Sequence, residues 1–174
     1  MRPRKIMRVK IMKFYVIAAI LVTITSLAYL YQSEKTLFPD KLGDMELKLH
    51  REGDAAIREI KGSHEAKDNV APREAHIARY RSSAGSRATV SVTVAGTNQR
   101  AVEIVENMNM GMGGMFSKPE TLEINGLKVY YTEGGSEYHY YYPKGSLVVW
   151  IALSNPDSAY QSVLMDEAVK SIGE

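Results

Sequence analysis

Cysteine is absent from all 174 residues of the chain. This absence excludes disulfide bonds, thiolate catalysis, cysteine-ligated zinc, covalently attached c-type haem and acylation of an N-terminal cysteine. Phosphate-binding motifs are also missing, because Gly111–Gly114 lacks the spacing of a dinucleotide loop and no Gly-x-x-x-x-Gly-Lys occurs. His64 and Glu65 begin like a zinc-protease helix, but Asp68 stands where the second histidine is required. We therefore predict that the protein is not an enzyme and has no cofactor.

Acidic residues are absent from the first 31 positions, and Phe14–Tyr31 contains no charge, proline or glycine. Six basic residues precede this apolar run. A run of this length suits a helix that crosses a bilayer, and the basic excess before it favours a cytoplasmic N-terminus. The sequence thus predicts a cytoplasmic tail over residues 1–13, a transmembrane anchor over 14–31 that has the lipid bilayer as its partner, and an extracytoplasmic C-terminal domain.

A cleaved secretory signal is the alternative interpretation of the same segment. Ser26-Leu27-Ala28 resembles a cleavage site, which would leave a new N-terminus at Tyr29. Tyr29, Leu30 and Tyr31 continue the apolar run and are typical of the aromatic belt at a membrane interface. They favour an uncleaved anchor.

The remaining residues divide into a tether and one domain. Residues 32–43 are polar, with Pro39 and Gly43, and predict a tether; residues 44–174 have a length that suits one core. All 20 acidic residues but only 16 of the 22 basic ones follow position 31. This mildly acidic balance argues against nucleic acid as a partner.

Alternation and turn signals predict seven strands and three helices in this domain. Thr97 is a candidate N-cap for a helix ended by the glycines from Gly111, and Asn125-Gly126 predicts a hairpin. The strands are predicted at residues 44–50, 75–81, 87–95, 121–124, 127–132, 137–142 and 146–153, and the helices at 54–61, from 97 to about 111, and 156–172. The predicted fold class is α+β: an N-terminal transmembrane helix, then a mostly antiparallel sheet with helices on one face.

Residues 87–174 resemble the PsbP/Mog1-like group of small α+β domains. The resemblance lies in the order of elements: a strand, a capped helix, a glycine-turned hairpin, two further strands and a C-terminal helix. It implies a binding or assembly role. That group includes proteins associated with photosystem II and a protein that binds a Ran-type GTPase, and it has no shared catalytic site.

Met108, Met110, Met112 and Met115 form a methionine-rich stretch with three glycines. Thioethers are soft ligands that suit Cu(I), and a histidine could complete the site; the candidates are His50, His64, His76 and His139, of which His139 is kept in the metal set. Since no histidine has a second one at helical spacing, each is otherwise predicted to be lone, hydrogen-bonded or exposed. Met108, Met112 and Met115 also continue the apolar face of the preceding helix, which favours core packing. A third interpretation is a methionine-lined groove for an apolar partner.

Tyrosines alternate along one predicted strand, so that Tyr138, Tyr140 and Tyr142 share a face. If helices cover only the other face, these rings are exposed and form a partner-binding surface together with Met110, Met112 and Met115. The alternative is cross-strand packing that only stabilises the sheet.

The sequence as a whole predicts a membrane-anchored, non-catalytic binding or assembly domain with a protein or peptide partner at the membrane surface. A copper-handling or other metal-handling domain with Met and His ligands is the second hypothesis, and an enzyme of unrecognised type is the third. The sequence identifies neither the ligand nor the oligomeric state.

Overall fold

The structure, a computed structural model, describes residues 37–63, 72 and 74–173. Residues Leu37–Glu174 form a compact unit. Its elements, in chain order, are β1 (Lys41–Leu42), β2 (Met45–Glu52), α1 (Gly53–Ser63), β3 (Ala75–Arg81), β4 (Arg87–Val94), α2 (Asn98–Gly111), β5 (Glu120–Ile124), β6 (Leu127–Gly134), β7 (Glu137–Lys144), β8 (Leu147–Leu153) and α3 (Ser158–Ser171).

The strands form an eight-stranded sheet in the order β1-β2-β3-β4-β8-β7-β6-β5, with antiparallel neighbours. Strands β1–β4 and strands β5–β8 each follow an up-and-down path, and β8 returns to pair with β4 in the middle of the sheet. This return makes β4 and β8 central strands. Both edges of each of these strands are therefore hydrogen-bonded to neighbouring strands.

One face of the sheet, which we call the α3 face, packs against the C-terminal helix. Leu164, Met165 and Ala168 of α3 are buried against Val90 of β4 and Ile151 of β8. Phe38, Leu42 and Met45 complete this core from the N-terminal side.

The opposite face, which we call the α1/α2 face, is also covered. Ala101 and Val105 of α2 pack against Tyr130, Tyr141 and Val148. Ala56 of α1 packs against the strand residues Ala75 and Ile77 in a smaller cluster. The prediction of helices on one face is therefore wrong, because α1 and α2 lie on one side of the sheet and α3 lies on the other.

The transmembrane part of the predicted fold class is also unsupported. Among the described residues, no helix has both the length and the apolar character needed to cross a membrane. The predicted tail at residues 1–13, the anchor at 14–31 and the cleavage position after Ala28 all lie outside the described residues. The predicted orientation depends on the same positions and stays a prediction.

The folded unit begins earlier than predicted. Residues 37–43 belong to the predicted tether, yet Phe38 and Leu42 are buried, and Leu42 lies in β1 opposite Met45. Tyr80 donates a hydrogen bond of 2.9 Å to the carbonyl of Pro39, which holds this segment on the sheet. The buried side chains of Phe38 and Leu42 therefore extend the core into the predicted tether.

Local signals agree with the structure at several element boundaries. Thr97 caps α2 by accepting a hydrogen bond from the amide of Arg100, and Asp157 caps α3 in the same manner. The Asn125-Gly126 turn has positive φ angles of 52° and 74°, as a tight hairpin turn requires, and joins β5 to β6.

A bulge interrupts the alternation of β2. Leu47 lies opposite Tyr80 and Leu49 lies opposite Arg79, so Lys48 is the extra residue. A one-residue bulge moves every later side chain of a strand to the other face. Beyond the bulge, His50 rather than Leu49 lies on the α3 face.

Candidate functional site

An aromatic row crosses the α1/α2 face of the sheet. Tyr130, Tyr141 and Trp150 lie opposite one another on β6, β7 and β8, and successive ring centroids are 5.3 and 5.0 Å apart in stacked geometry. Phe116 continues the row from a loop, with its ring 6.0 Å from Trp150 and 5.1 Å from His139. Met108 and Met112 of the methionine-rich stretch pack against the cluster that contains Tyr130 and Tyr141.

Polar contacts orient α2 on the aromatic row. Glu106 accepts hydrogen bonds from the hydroxyl of Tyr130 at 2.8 Å and from Nζ of Lys128 at 3.0 Å. These hydrogen bonds, chiefly the one from Tyr130, hold the pKa of the Glu106 carboxyl below its usual range. Tyr141 donates to Oδ1 of Asn109 at 3.3 Å, and burial raises the pKa of its hydroxyl to about 12. The last turns of α2 are therefore tied to two strands.

The chain after α2 is pinned again at Ser117. Its amide donates to the carbonyl of Glu133 at 2.8 Å, and its carbonyl accepts from the hydroxyl of Thr132 at 2.8 Å. Gly134 allows this close crossing, because a Cβ there would lie 2.5 Å from the Phe116 ring and 2.9 Å from the carbonyl oxygen of Met115. The stretch between α2 and Ser117 is therefore held at both ends.

Two methionines of this stretch are exposed although its ends are held. Met110 is 74% exposed and Met115 is 83% exposed. An open cleft of about 400 Å³, which we call the 109–119 cleft, lies in the same stretch, and Met110 and Met115 are chain neighbours of its lining residues Asn109 and Phe116. Its lining residues are Asn109, Met112, Gly113, Phe116, Ser117, Lys118 and Pro119.

The methionines predicted as one metal set lie in two environments. Met108 and Met112 are partly buried against the cluster that contains Tyr130, Tyr141 and Val148, whereas Met110 and Met115 face solvent. His139 is buried; its Nε2 lies 2.9 Å from the carbonyl of Gly134, which accepts its N–H in the corresponding tautomer. The four thioethers therefore differ in burial, and the copper set stays a prediction.

The predicted tyrosine surface needs a correction. Tyr140 and Tyr142 lie on the α3 face and are buried, with exposed fractions of 6% and 0%, and the hydroxyl of Tyr140 donates to Oε1 of Gln161 in α3 at 2.6 Å. Tyr138 is partly buried on that same face. The aromatic residues near the methionines are instead Tyr141, His139 and Trp150, because α3 covers the face that was expected to be open.

A second cluster lies on the α3 face, near the β1 edge of the sheet. His50 and Glu52 are two residues apart on β2, and Glu52 lies directly opposite His76 on β3. One nitrogen from each histidine and a carboxylate oxygen of Glu52 all lie within 4.8 Å of one another. We call these three residues the His–Glu cluster.

The sequence interpretation missed this cluster because it searched for helical histidine spacing. The signal was a strand pattern: in His50-Arg51-Glu52, positions two apart share one face. His76 near the start of the next strand could not be placed opposite Glu52 without the register of β2 and β3. The rings of His50 and His76 are neighbours in the structure, with centroids 5.8 Å apart.

Comparisons with known proteins identify no family. No family model and no curated protein matches the sequence. A crystal structure of a GTP binding regulator from Thermotoga maritima is similar to the chain, with a TM-score of 0.47 and 14% sequence identity; the match covers 75% of this chain and 81% of that one. The resemblance of residues 87–174 to PsbP/Mog1-like domains stays a prediction.

Proposed function

We propose that the domain is a non-catalytic binding module that holds a short peptide segment of a partner protein in the 109–119 cleft. The observation that carries the proposal is the exposure of Met110 and Met115 on a stretch that is fixed at both ends. Unbranched thioether side chains adapt to different apolar surfaces, so they suit contact with a peptide.

The lining of the cleft favours a peptide that combines apolar residues with an acidic group. Met112 and Phe116 are apolar lining residues, and the exposed Lys118 is the charged residue among those that line the cleft. A carboxylate on the partner would pair with the Lys118 ammonium. Exposed ion pairs contribute little affinity, so the apolar contacts supply most of the binding free energy and Lys118 supplies orientation.

Peptide selection tests this proposal. A randomised peptide library is selected against the full-length protein, and the affinity of a selected synthetic peptide is measured by fluorescence anisotropy. We expect enriched sequences that combine apolar residues with Asp or Glu. The double variant Met110→Ser, Met115→Ser should bind such a peptide about 100-fold more weakly, since each methionine buried by the peptide contributes about 1.5 kcal/mol.

Val163 gives a matched control, because it is 69% exposed on α3, on the opposite side of the sheet. Val163→Ser should leave peptide affinity unchanged, and Lys118→Glu should reduce the affinity only for peptides with an acidic residue. A library that yields no binding peptide, or peptides that bind the double methionine variant as well as the parent, would remove the 109–119 cleft as the binding site.

A further inference from the structure

The His–Glu cluster contains an imidazole nitrogen with no partner. Nδ1 of His76 is buried and has no hydrogen-bond partner among the residues that the structure describes. Its nearest charged neighbour is Oε2 of Glu52 at 3.8 Å, which is beyond hydrogen-bond distance. A buried polar atom without a partner costs about 1–3 kcal/mol, so this nitrogen beside a carboxylate is a candidate ligand atom.

The other nitrogen of the same ring is held by a carboxylate. Nε2 of His76 lies 3.0 Å from Oε1 of Glu74, an arrangement in which Nε2–H donates to Glu74. That hydrogen bond selects the tautomer whose Nδ1 lone pair is free and faces the cluster. Histidines that bind metals commonly donate their second nitrogen to a carboxylate in this way, which orients the ring and raises its basicity.

We propose that His50, Glu52 and His76 bind a divalent transition-metal ion of the zinc class, with Glu74 as a positioning residue. Two imidazoles and one carboxylate are borderline ligands that suit Zn²⁺, and the set has no sulfur ligand of the kind that selects Cu(I). Glu52 and Glu74 together balance the charge of a divalent ion. This site is independent of the proposed peptide cleft, which lies on the opposite face of the sheet.

The geometry requires only a small closure around the ion. Zinc bonds of about 2.0 Å in tetrahedral geometry place ligand atoms about 3.3 Å apart, compared with separations of up to 4.8 Å here. The Glu52 side chain is 73% exposed and is free to rotate, whereas His76 is only 14% exposed and stays in place. Phe38 packs edge-on against His50 at 5.1 Å and forms an apolar wall on one side.

Zinc titration of the full-length protein tests the proposal. Isothermal titration calorimetry with Zn²⁺ should give one site per chain. His50→Ala and Glu52→Gln, at two exposed positions, should each reduce the affinity by about tenfold or more. Glu74→Gln should keep one site but weaken it by about tenfold, the range found when a carboxylate behind a metal-binding histidine is removed.

Glu46→Gln is the matched control. Glu46 is an exposed carboxylate on the same strand, but it lies before the bulge and opposite Arg81, on the other face of the sheet. This variant should bind Zn²⁺ as the parent does. Co²⁺ provides a second readout, since its visible absorption band should report nitrogen and oxygen ligands and should change in Glu52→Gln. Absence of Zn²⁺ binding, or equal affinity in the parent, His50→Ala and Glu52→Gln, would overturn the assignment.

Discussion

The contribution of a buried tyrosine to stability depends on whether its hydroxyl has a hydrogen-bond partner. Tyr142 is fully buried, and its hydroxyl has no hydrogen-bond partner within the described part of the chain. Its neighbour on the same face, Tyr140, donates to Gln161. Two residues with the same side chain and nearly the same burial therefore differ in whether their polar atom is satisfied.

We predict that Tyr142→Phe raises the free energy of unfolding by about 1 kcal/mol, because it removes an unpaired buried hydroxyl and keeps the packed ring. Tyr140→Phe, the matched control, should lower it by about 1 kcal/mol, because Oε1 of Gln161 loses its donor. Urea denaturation of both variants measures the difference. Equal losses in the two variants would show that the Tyr142 hydroxyl has a partner in solution.

At the scale of elements, the C-terminus of α3 depends on a side chain from β7. Nζ of Lys144 donates to the carbonyls of Val169, Lys170 and Ile172 at 2.9, 3.1 and 2.7 Å. The last carbonyls of a helix have no partner within the helix, and a cation there also interacts favourably with the negative end of the helix dipole. One lysine thus joins the end of α3 to the hairpin of β7 and β8.

Lys144→Met should lower the free energy of unfolding by about 1–2 kcal/mol and speed amide hydrogen exchange in the last turn of α3. Lys170→Met is the control, since the ammonium of Lys170 makes an exposed pair with Asp166 at 2.6 Å and, among the described residues, caps no helix end. Exposed pairs of this kind contribute about 0.3–0.5 kcal/mol. Exchange rates that rise equally in both variants would contradict the capping role of Lys144.

At the scale of the whole molecule, buried tyrosines couple stability to alkaline pH. Burial raises the pKa of both Tyr140 and Tyr141 to about 12, and it also raises the pKa of Tyr142. In the unfolded chain a tyrosine hydroxyl has a pKa of about 10. Above about pH 10 the unfolded state therefore binds fewer protons than the folded state, and the free energy of unfolding falls as pH rises.

We predict that the urea midpoint is lower at about pH 11 than at about pH 9, and that tyrosinate absorbance appears together with unfolding. Tyr141→Phe removes one of the groups responsible, so the variant should lose less stability than the parent over this interval. A parent midpoint that stays constant across the interval would mean that the buried hydroxyls ionise without unfolding.

Most element positions in the 37–173 region follow from the sequence alone, because their causes act over a few residues. The Asn125-Gly126 turn, the Thr97 cap and the Asp157 cap each depend on one or two side chains and the adjacent backbone. Hairpins such as β5 with β6 then follow from the turn between them. Such signals do not change with the rest of the fold.

Only the tertiary structure decided which faces are covered. Alternation shows that Tyr138, Tyr140 and Tyr142 share a face, but it does not show which helix packs there. The continuous apolar run of β8, Leu147–Leu153, is typical of a strand buried on both sides, and the structure has helices on both faces of the sheet, contrary to the prediction. The prediction of an exposed tyrosine surface was wrong because α3 packs on that face.

The candidate metal site likewise depended on long-range register. His50 and Glu52 are two residues apart and share a face of β2, but the predicted strand ended at residue 50 and left Glu52 out. The bulge at Lys48 decided which face that is, and the pairing of β2 with β3 placed His76 opposite Glu52. A bulge and a register are set by the packing of the whole sheet, in which a shift of one residue would exchange the buried and exposed sides of a strand.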